Sequence, residues 1–233
     1  MIANLLRKFQ HIYHAVVPFK KANDKLLLMD FTTTNKTLTP EIFDDTEKFS
    51  SYMNTQLQNA NALYGIGGYN ENRAIYSRSK HFDSLLNKEP RRIHLGIDIW
   101  GKEDTPVFAP LGGMVHSFAY NDQFGDYGAT IVLLHQLDGM PFYTLYGHLS
   151  LEDIATLKDG EYISIGQKFA HFGNAKENGN WPPHLHFQVI ENMELKRGDY
   201  PGVCTITERE KYLSNCTDPD FILNMMQYAK PTY

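Results

Sequence analysis

The chain has 233 residues, of which 21% are charged, and a formal net charge of −5 at pH 7. This length suits one substantial domain with appendages, and a net negative charge without a clustered basic patch argues against nucleic acid or an anionic membrane as the main partner. The two cysteines, Cys204 and Cys216, are too few for a disulfide framework and form either one bridge or two free thiols.

Residues 1–89 are expected to form a partly helical N-terminal appendage that packs on, or precedes, the main domain. Thr39, Pro40 and Glu41 resemble a helix start with proline at the first position, so a helix is predicted over residues 41–57. The glycine-rich residues 64–69 are predicted to form a turn that leads into the main domain.

The N-terminal region contains neither a predicted secretory signal nor a predicted membrane span. Residues 1–21 lack the uninterrupted apolar core of a signal peptide, and the apolar run at residues 26–29 is too short to cross a bilayer. We therefore expect a soluble, cytoplasmic protein, or a periplasmic or cell-wall-associated one if it is exported by another route.

From residue 93 onward the sequence consists of short alternating segments separated by glycine and proline. A short helix is expected at residues 151–157, and residues 193–233 are expected to form a loop-rich C-terminal extension with a short helix at 221–228. Many short strands at close spacing predict a mainly β fold with an antiparallel sheet core. The predicted strands cover residues 93–100, 106–109, 113–120, 129–136, 141–148, 162–165 and 184–190.

Two histidines lie one residue apart in the predicted strand at 184–190. Side chains at positions i and i+2 of a strand point to the same face, so His184 and His186 would project side by side. This geometry is typical of a metal site. The alternative is a strand whose polar face carries two histidines without a ligand.

A second pair of candidate ligands lies in the predicted strand at 93–100. His94 and Asp98 are four residues apart, an even spacing that places both side chains on one face of a strand. Together with His186 they would provide two imidazoles and one carboxylate, which suits a zinc site with its fourth position left to water. Spacing alone does not decide between His184 and His186 as the third ligand. His148, at the end of another predicted strand, could reach a substrate there or be a surface residue.

Three motifs in order, HLGID at residues 94–98, YGHLS at 146–150 and HLHF at 184–187, resemble the lysostaphin-type zinc endopeptidases of peptidase family M23. These enzymes cut peptide stems or cross-links of the bacterial cell wall. The resemblance covers about residues 90–192. It implies a metallopeptidase domain at 90–192 with a narrow groove beside its sheet, flanked by the appendage at 1–89 and the extension at 193–233.

The resemblance also implies a role for each motif residue. His94, Asp98 and His186 match the ligands of one zinc ion, and His148 and His184 match the pair of catalytic histidines. The implied reaction is hydrolysis of a peptide bond by a zinc-activated water. In that reaction His184 is expected to act as the base and His148 as the acid or oxyanion donor, although the sequence allows the two to be exchanged.

Two other functions remain open at this stage. The first is a non-catalytic peptide-binding domain of the same fold, whose expected mark is the loss of a ligand or catalytic histidine, and none is lost here. The second is a cytoplasmic zinc hydrolase with a short peptide or other non-wall substrate. The stretch at residues 172–183, longer and bulkier than in the family and containing Trp181, is where substrate preference is expected to differ. Plain packing is the alternative explanation for Trp181.

Overall fold

The computed structural model describes residues 2–83 and 89–231 of the chain. The predicted appendage at 1–89 includes residues 1 and 84–88, and the predicted extension at 193–233 includes residues 232 and 233, all of which lie outside the described residues.

The helices of the described residues are short, with one exception of fifteen residues. Four further segments form 3₁₀ turns: Gln10–Ile12, Ala74–Arg78, Lys80–Phe82 and Met226–Tyr228. The α-helices are α1 (Ile2–Lys8), α2 (Pro40–Phe43), α3 (Thr46–Ala60), α4 (Glu152–Ala155), α5 (Arg209–Asn215) and α6 (Asp220–Leu223).

Strands account for most of the ordered architecture and confirm the predicted mainly β fold. They are β1 (Leu26–Met29), β2 (Tyr64–Gly67), β3 (Ile93–His94), β4 (Ile97–Trp100), β5 (Pro106–Phe108), β6 (Gly113–Asn121), β7 (Gly128–Leu137), β8 (Met140–Leu149), β9 (Tyr162–Ile163), β10 (Lys168–His171), β11 (His184–Ile190), β12 (Val203–Cys204), β13 (Cys216–Thr217) and β14 (Ala229–Lys230).

One large sheet has the strand order β14-β1-β2-β4-β11-β8-β7-β6-β9, with β13 also paired to β11. Strand β1 runs parallel to β2 and β14, and the other pairs are antiparallel. Asp138 and Gly139 connect β7 to β8 with positive φ at both residues, the conformation of a tight hairpin turn whose twist matches the strands. The site strands β4 and β11 therefore lie in the middle of the sheet.

The helix predicted at residues 41–57 is divided into α2 and α3. The division lies at Asp45, whose carboxylate accepts hydrogen bonds from the backbone N–H groups of Glu47 and Lys48 and so caps the start of α3. Helix α3 buries Phe49 and Met53. The sequence pattern predicted one helix because it did not give weight to this internal cap.

The turn predicted at residues 64–69 is wrong for its first part, because Tyr64–Gly67 is strand β2. This strand pairs with β1 on one side and with β4 on the other. A Cβ at Gly65 would lie 2.9 Å from a Met29 side-chain atom, so glycine here permits close packing within the sheet. The predicted N-terminal appendage thus contributes two strands to the main sheet.

The strand predicted at 93–100 is interrupted between β3 and β4. A Cβ at Gly96, within this interruption, would lie 2.6 Å from the imidazole of His186, so the backbone passes directly against that ring. Successive side chains of β4 point to opposite faces of the sheet. Ile97 and Ile99 of β4 belong to the main apolar core with residues of β11, while Asp98 faces the opposite side.

The two cysteines are free thiols, and both are buried. Of the two alternatives that the sequence left open for Cys204 and Cys216, the structure contains the unbridged one.

Within the described ranges, none of the helices combines the length and the apolar character that crossing a membrane requires.

Candidate active site

The register between β4 and β11 places Asp98 directly opposite His186. His94, at the end of β3, completes a triangle of possible ligand atoms. His94 Nε2 lies 3.0 Å from His186 Nδ1 and 3.2 Å from Asp98 Oδ1, and His186 Nδ1 lies 3.1 Å from that same oxygen. All three side chains are buried. The structure therefore brings together the three residues that the resemblance implied as metal ligands.

The hydrogen bonds on the far side of each ring define which nitrogen carries the proton. His94 Nδ1 lies 3.1 Å from the carbonyl oxygen of Gly68, and a carbonyl only accepts, so Nδ1 donates and Nε2 keeps a lone pair. His186 Nε2 lies 2.9 Å from Oε1 of Gln188 and donates to it, so His186 Nδ1 also keeps a lone pair.

Two imidazole nitrogens and one carboxylate oxygen thus converge at a single point, and this set of donor atoms suits zinc. Burial, together with the positive charge of Arg73, lowers the pKa of His94 to about 4. Burial alone would raise the pKa of Asp98, but His94 and Arg73 hold it well below its usual range. The residues present therefore fit a divalent metal ion.

Further polar side chains orient these ligands. Gln188 Nε2 donates to the carbonyl of Pro201 at 3.1 Å, which leaves its Oε1 turned towards His186. The Tyr127 hydroxyl lies 3.4 Å from His186 Nε2 and donates to the carbonyl of Tyr200 at 3.2 Å. Sequence reasoning missed both residues. Gln188 could have been found, because it follows His186 by two residues in the same strand and shares its face.

The two remaining motif histidines lie beside this triangle. His184 Nδ1 donates to the carbonyl of Pro182 and His148 Nδ1 donates to that of Asn178, each at 2.8 Å. Each ring therefore keeps a lone pair on Nε2. The ring centroids are 4.0 Å apart. Burial lowers the pKa of His184 to about 4 and the pKa of His148 well below its usual value, so both rings are neutral near pH 7.

His148 has a backbone conformation that is uncommon for a residue with a side chain. Its φ is +63° at the end of β8, and its N–H donates to the carbonyl of Tyr127 at 2.7 Å. Gly147, just before it, has no room for a Cβ, which would lie 2.5 Å from the Tyr127 ring. The strand thus turns at His148, and the sheet pairing of Gly147 with His186 sets the imidazole beside the triangle.

The site lies in a pocket of about 100 Å³ with aromatic walls. Trp100 stacks on His184 with ring centroids 3.8 Å apart. Trp181, 3% exposed, lines the pocket and also packs against Phe49 and Tyr76. Trp181 therefore both lines the pocket and packs against other aromatic side chains.

A segment from the N-terminal region covers this pocket. Residues 74–82 contribute Tyr76 and Phe82 to the pocket lining. Arg78 donates to the carbonyl of Asn180 at 3.1 Å, and the Ser79 hydroxyl donates to the carbonyl of Phe124. The covering segment thus bridges two loops. Beside it, His148, His184 and His186 are 6%, 2% and 3% exposed, so they lie at the base of a narrow, partly open pocket.

The side chains of three other polar residues near the motifs form hydrogen bonds outside the ligand triangle. Asn70 accepts a hydrogen bond from Arg209 at 2.8 Å. His171 pairs with Asp153 at 2.9 Å, and His135 Nδ1 lies 3.0 Å from the carbonyl of Gly112.

One family model matches part of this sequence. Residues 92–197 match the family model described as "Peptidase family M23", and this range contains His94, Asp98, His148, His184 and His186. The resemblance inferred from the sequence is confirmed over this range. Among curated proteins, none matches the chain.

Several solved structures are similar to this chain. The catalytic domain of the antimicrobial peptidase lysostaphin from Staphylococcus simulans is 23% identical with a TM-score of 0.44, covering 75% of this chain and 97% of its own. A zinc containing peptidase from Vibrio cholerae is 26% identical with a TM-score of 0.34, and the match covers 46% of this chain and 29% of that protein. LytU is 23% identical with a TM-score of 0.38, and the match covers 55% of this chain and 70% of LytU.

Proposed function

Residues 92–197 form a domain of peptidase family M23, and on this premise we propose that the chain is a zinc-dependent endopeptidase that hydrolyses a peptide bond. The observation that carries the proposal is the convergence of three possible ligand atoms from His94, Asp98 and His186, with two neutral histidines beside them. This set of donor atoms suits zinc, and proton acceptors lie next to the place that the ion would fill.

The proposed roles follow from the chemistry of each group. A zinc ion held by His94, Asp98 and His186 supplies Lewis acidity towards a carbonyl and lowers the pKa of water to about 7. His184 accepts the proton of the attacking water at Nε2. His148 donates a hydrogen bond to the developing oxyanion, or returns a proton to the leaving amine, only in the state in which its own Nε2 has gained a proton.

Two backbone carbonyls favour the charged state that proton acceptance creates. When His184 gains a proton at Nε2, its Nδ1–H still donates to the carbonyl of Pro182, and the bond strengthens because the ring is then cationic. The bond between His148 and the carbonyl of Asn178 has the same effect. Each ring thus stays in one orientation through the proton transfer.

The proposed substrates are peptidoglycan stem or cross-link peptides. Support for this substrate class comes from the M23 domain and from the full set of motif residues within it.

A second candidate function is a zinc hydrolase that acts on a short soluble peptide outside the cell wall. The narrow pocket of about 100 Å³ favours it, because a polymeric substrate has less access to such a pocket than a short one.

The test combines metal content with turnover. Protein purified without added metal is expected to contain about one zinc ion per chain and to release muropeptides from purified sacculi until a chelator is added. His184→Ala serves as the matched inactive control that keeps the ligand triangle. Zinc with cleavage of short peptides but not of sacculi would select the second candidate. Absence of both zinc and hydrolysis would contradict both candidates.

A further inference from the structure

Arg73 lies outside the range that matches the M23 family model, yet its side chain contacts a residue of the ligand triangle directly. We propose that Arg73 is a positioning residue, which turns a single oxygen of Asp98 towards the metal and makes the N-terminal region part of the metal site. This inference rests on the proposed zinc site and adds to it a residue that no motif marks.

The chain brings Arg73 to the site through strand β2. Gly67, the last residue of β2, is paired with Asp98 in the neighbouring strand β4. The chain then turns, and the Arg73 N–H donates to the carbonyl of Arg92 at 2.9 Å, just before β3. Both ends of the connection are thus fixed by backbone hydrogen bonds next to the ligand strands.

The contacts of Asp98 divide its two oxygens between different partners. Oδ1 lies 3.2 Å from His94 Nε2 and 3.1 Å from His186 Nδ1. Oδ2 accepts a hydrogen bond from Nη1 of Arg73. Because the guanidinium occupies Oδ2, only Oδ1 is available to an ion at the triangle, and the carboxylate plane has one orientation.

Charge and burial explain why an arginine is needed. The Arg73 side chain is 0% exposed, and its Nε donates to Glu71 at 2.7 Å while its guanidinium lies 5.0 Å from the Phe31 ring centroid. A planar guanidinium can donate to two carboxylates in fixed directions, which a lysine ammonium cannot reproduce. Without Arg73, the buried carboxylate of Asp98 and the partly buried one of Glu71 would have no shared cation.

The glycine opposite Arg73 provides an independent way to disturb it. A Cβ at Gly67 would lie 2.7 Å from Nη2 of Arg73 and 3.1 Å from the Phe31 ring, so Gly67→Ala would displace the guanidinium without removing its charge.

The experiment measures zinc affinity by competition with a chromophoric chelator and the absorption spectrum of the cobalt-substituted protein. Arg73→Met is expected to weaken zinc binding by about 10- to 100-fold, the usual effect of removing a partner of a metal ligand. Arg73→Lys is expected to recover part of this loss, and Gly67→Ala to weaken binding in the same direction. The cobalt spectrum should change in Arg73→Met, because a released Asp98 can offer both oxygens.

Arg78→Met is the control for loss of a buried arginine. Arg78 lies 4.6 Å from the Trp181 ring centroid and donates to Asn180 and Thr46, but contacts no proposed ligand. The Arg78→Met substitution should lower thermal stability and leave zinc affinity unchanged. If the unaltered protein binds no zinc, the proposed function fails. If it binds zinc and Arg73→Met and Gly67→Ala both retain its affinity and cobalt spectrum, the inference about Arg73 is wrong. Should Arg73→Met not fold, Arg73→Lys and Gly67→Ala decide the matter.

Discussion

At the scale of single residues, the site consists of two kinds of histidine that differ in where their free lone pairs lie. His94 and His186 turn theirs towards Asp98, while His148 and His184 are held by backbone carbonyls and keep their Nε2 lone pairs beside the triangle. The proposed division between ligands and catalysts therefore has a physical basis in the hydrogen bonds on the far side of each ring.

Replacing histidines of the two kinds should have separable effects. His184→Ala and His148→Ala are each expected to lower kcat by about 10²- to 10⁴-fold with zinc content retained, because each removes one group that transfers a proton or stabilises the oxyanion. His186→Ala is expected to lose zinc as well as activity. Zinc content by atomic absorption and peptide turnover are the two measurements. Loss of zinc from His184→Ala as complete as that from His186→Ala would show the division to be mistaken.

How far the site could be predicted also depends on single residues. Even spacing in the predicted strands identified His94, Asp98, His184 and His186 as candidates for one site, although in the structure His94 lies in β3 and Asp98 in β4. Arg73 could not be identified in this way, since only the pairing of β2 with β4 brings it to Asp98. Contacts between residues distant in the chain leave no periodic signal in a single sequence.

At the scale of elements, the covering segment at residues 74–82 forms part of the pocket wall. It consists of two 3₁₀ turns, Ala74–Arg78 and Lys80–Phe82, and is fastened by side chains at Arg78 and Ser79. The buried Ser79 hydroxyl joins this segment to the loop that contains Phe124.

Weakening the hydrogen bonds that attach the covering segment to the neighbouring loop should raise activity on large substrates. Ser79→Ala removes the hydrogen bond to the carbonyl of Phe124 and the one that Ser79 Oγ accepts from the His81 N–H at 3.1 Å. Each typically contributes about 1 kcal/mol, so we expect the activity on sacculi to rise relative to that on a short peptide. Ser77→Ala is the matched control, because the Ser77 hydroxyl bonds only within the segment, to the carbonyl of Ala74 at 2.9 Å. The ratio of the two activities is the measurement. An equal ratio in Ser79→Ala, Ser77→Ala and the unaltered protein would show that the segment does not limit access.

Elements with clear alternation were predicted well, and those dominated by glycine were not. Each of the seven predicted strands has a counterpart, and the strand predicted at 184–190 has the observed bounds of β11. Strand β2 was predicted as a turn because Gly65 and Gly67 are typical of turns, whereas here their missing side chains make room for Met29 and Arg73. The need for glycine at these two positions comes from residues that are close to them in the fold.

At the scale of the whole molecule, buried neutral histidines link stability to pH. His135 lies away from the ligand triangle, and burial lowers its pKa from 6.5 to about 4. Between these two pH values the unfolded chain binds a proton at this residue and the folded chain does not. The free energy of unfolding therefore falls as the pH falls from about 6.5 to about 4, by about 1.4 kcal/mol per pH unit for such a histidine.

This dependence can be measured by denaturant unfolding of the metal-free protein across that pH range. His135→Asn is expected to reduce the slope by about the contribution of one histidine, because asparagine does not titrate there. A slope in His135→Asn identical to that of the unaltered protein would refute the assignment.

The same large sheet joins parts of the chain that the sequence separated into an appendage, a domain and an extension. β1 and β2 precede the range that matches the family model, and β13 and β14 follow it, yet all four belong to the sheet that carries the site. The division at residues 89 and 192 stays a prediction about domains. Composition and turn signals cannot reveal shared sheets, because pairing partners this far apart are specified only by the folded backbone.

The pairing of β1 with β14 has a consequence for biosynthesis. Leu26 and Leu27 are made long before their partners Ala229 and Lys230. Until residue 230 has been made, the outer edge of β1 lacks its β14 partner, and an open edge is a template for association with other strands. A chain whose synthesis stops before residue 230 would therefore be more prone to aggregation than one that contains β14.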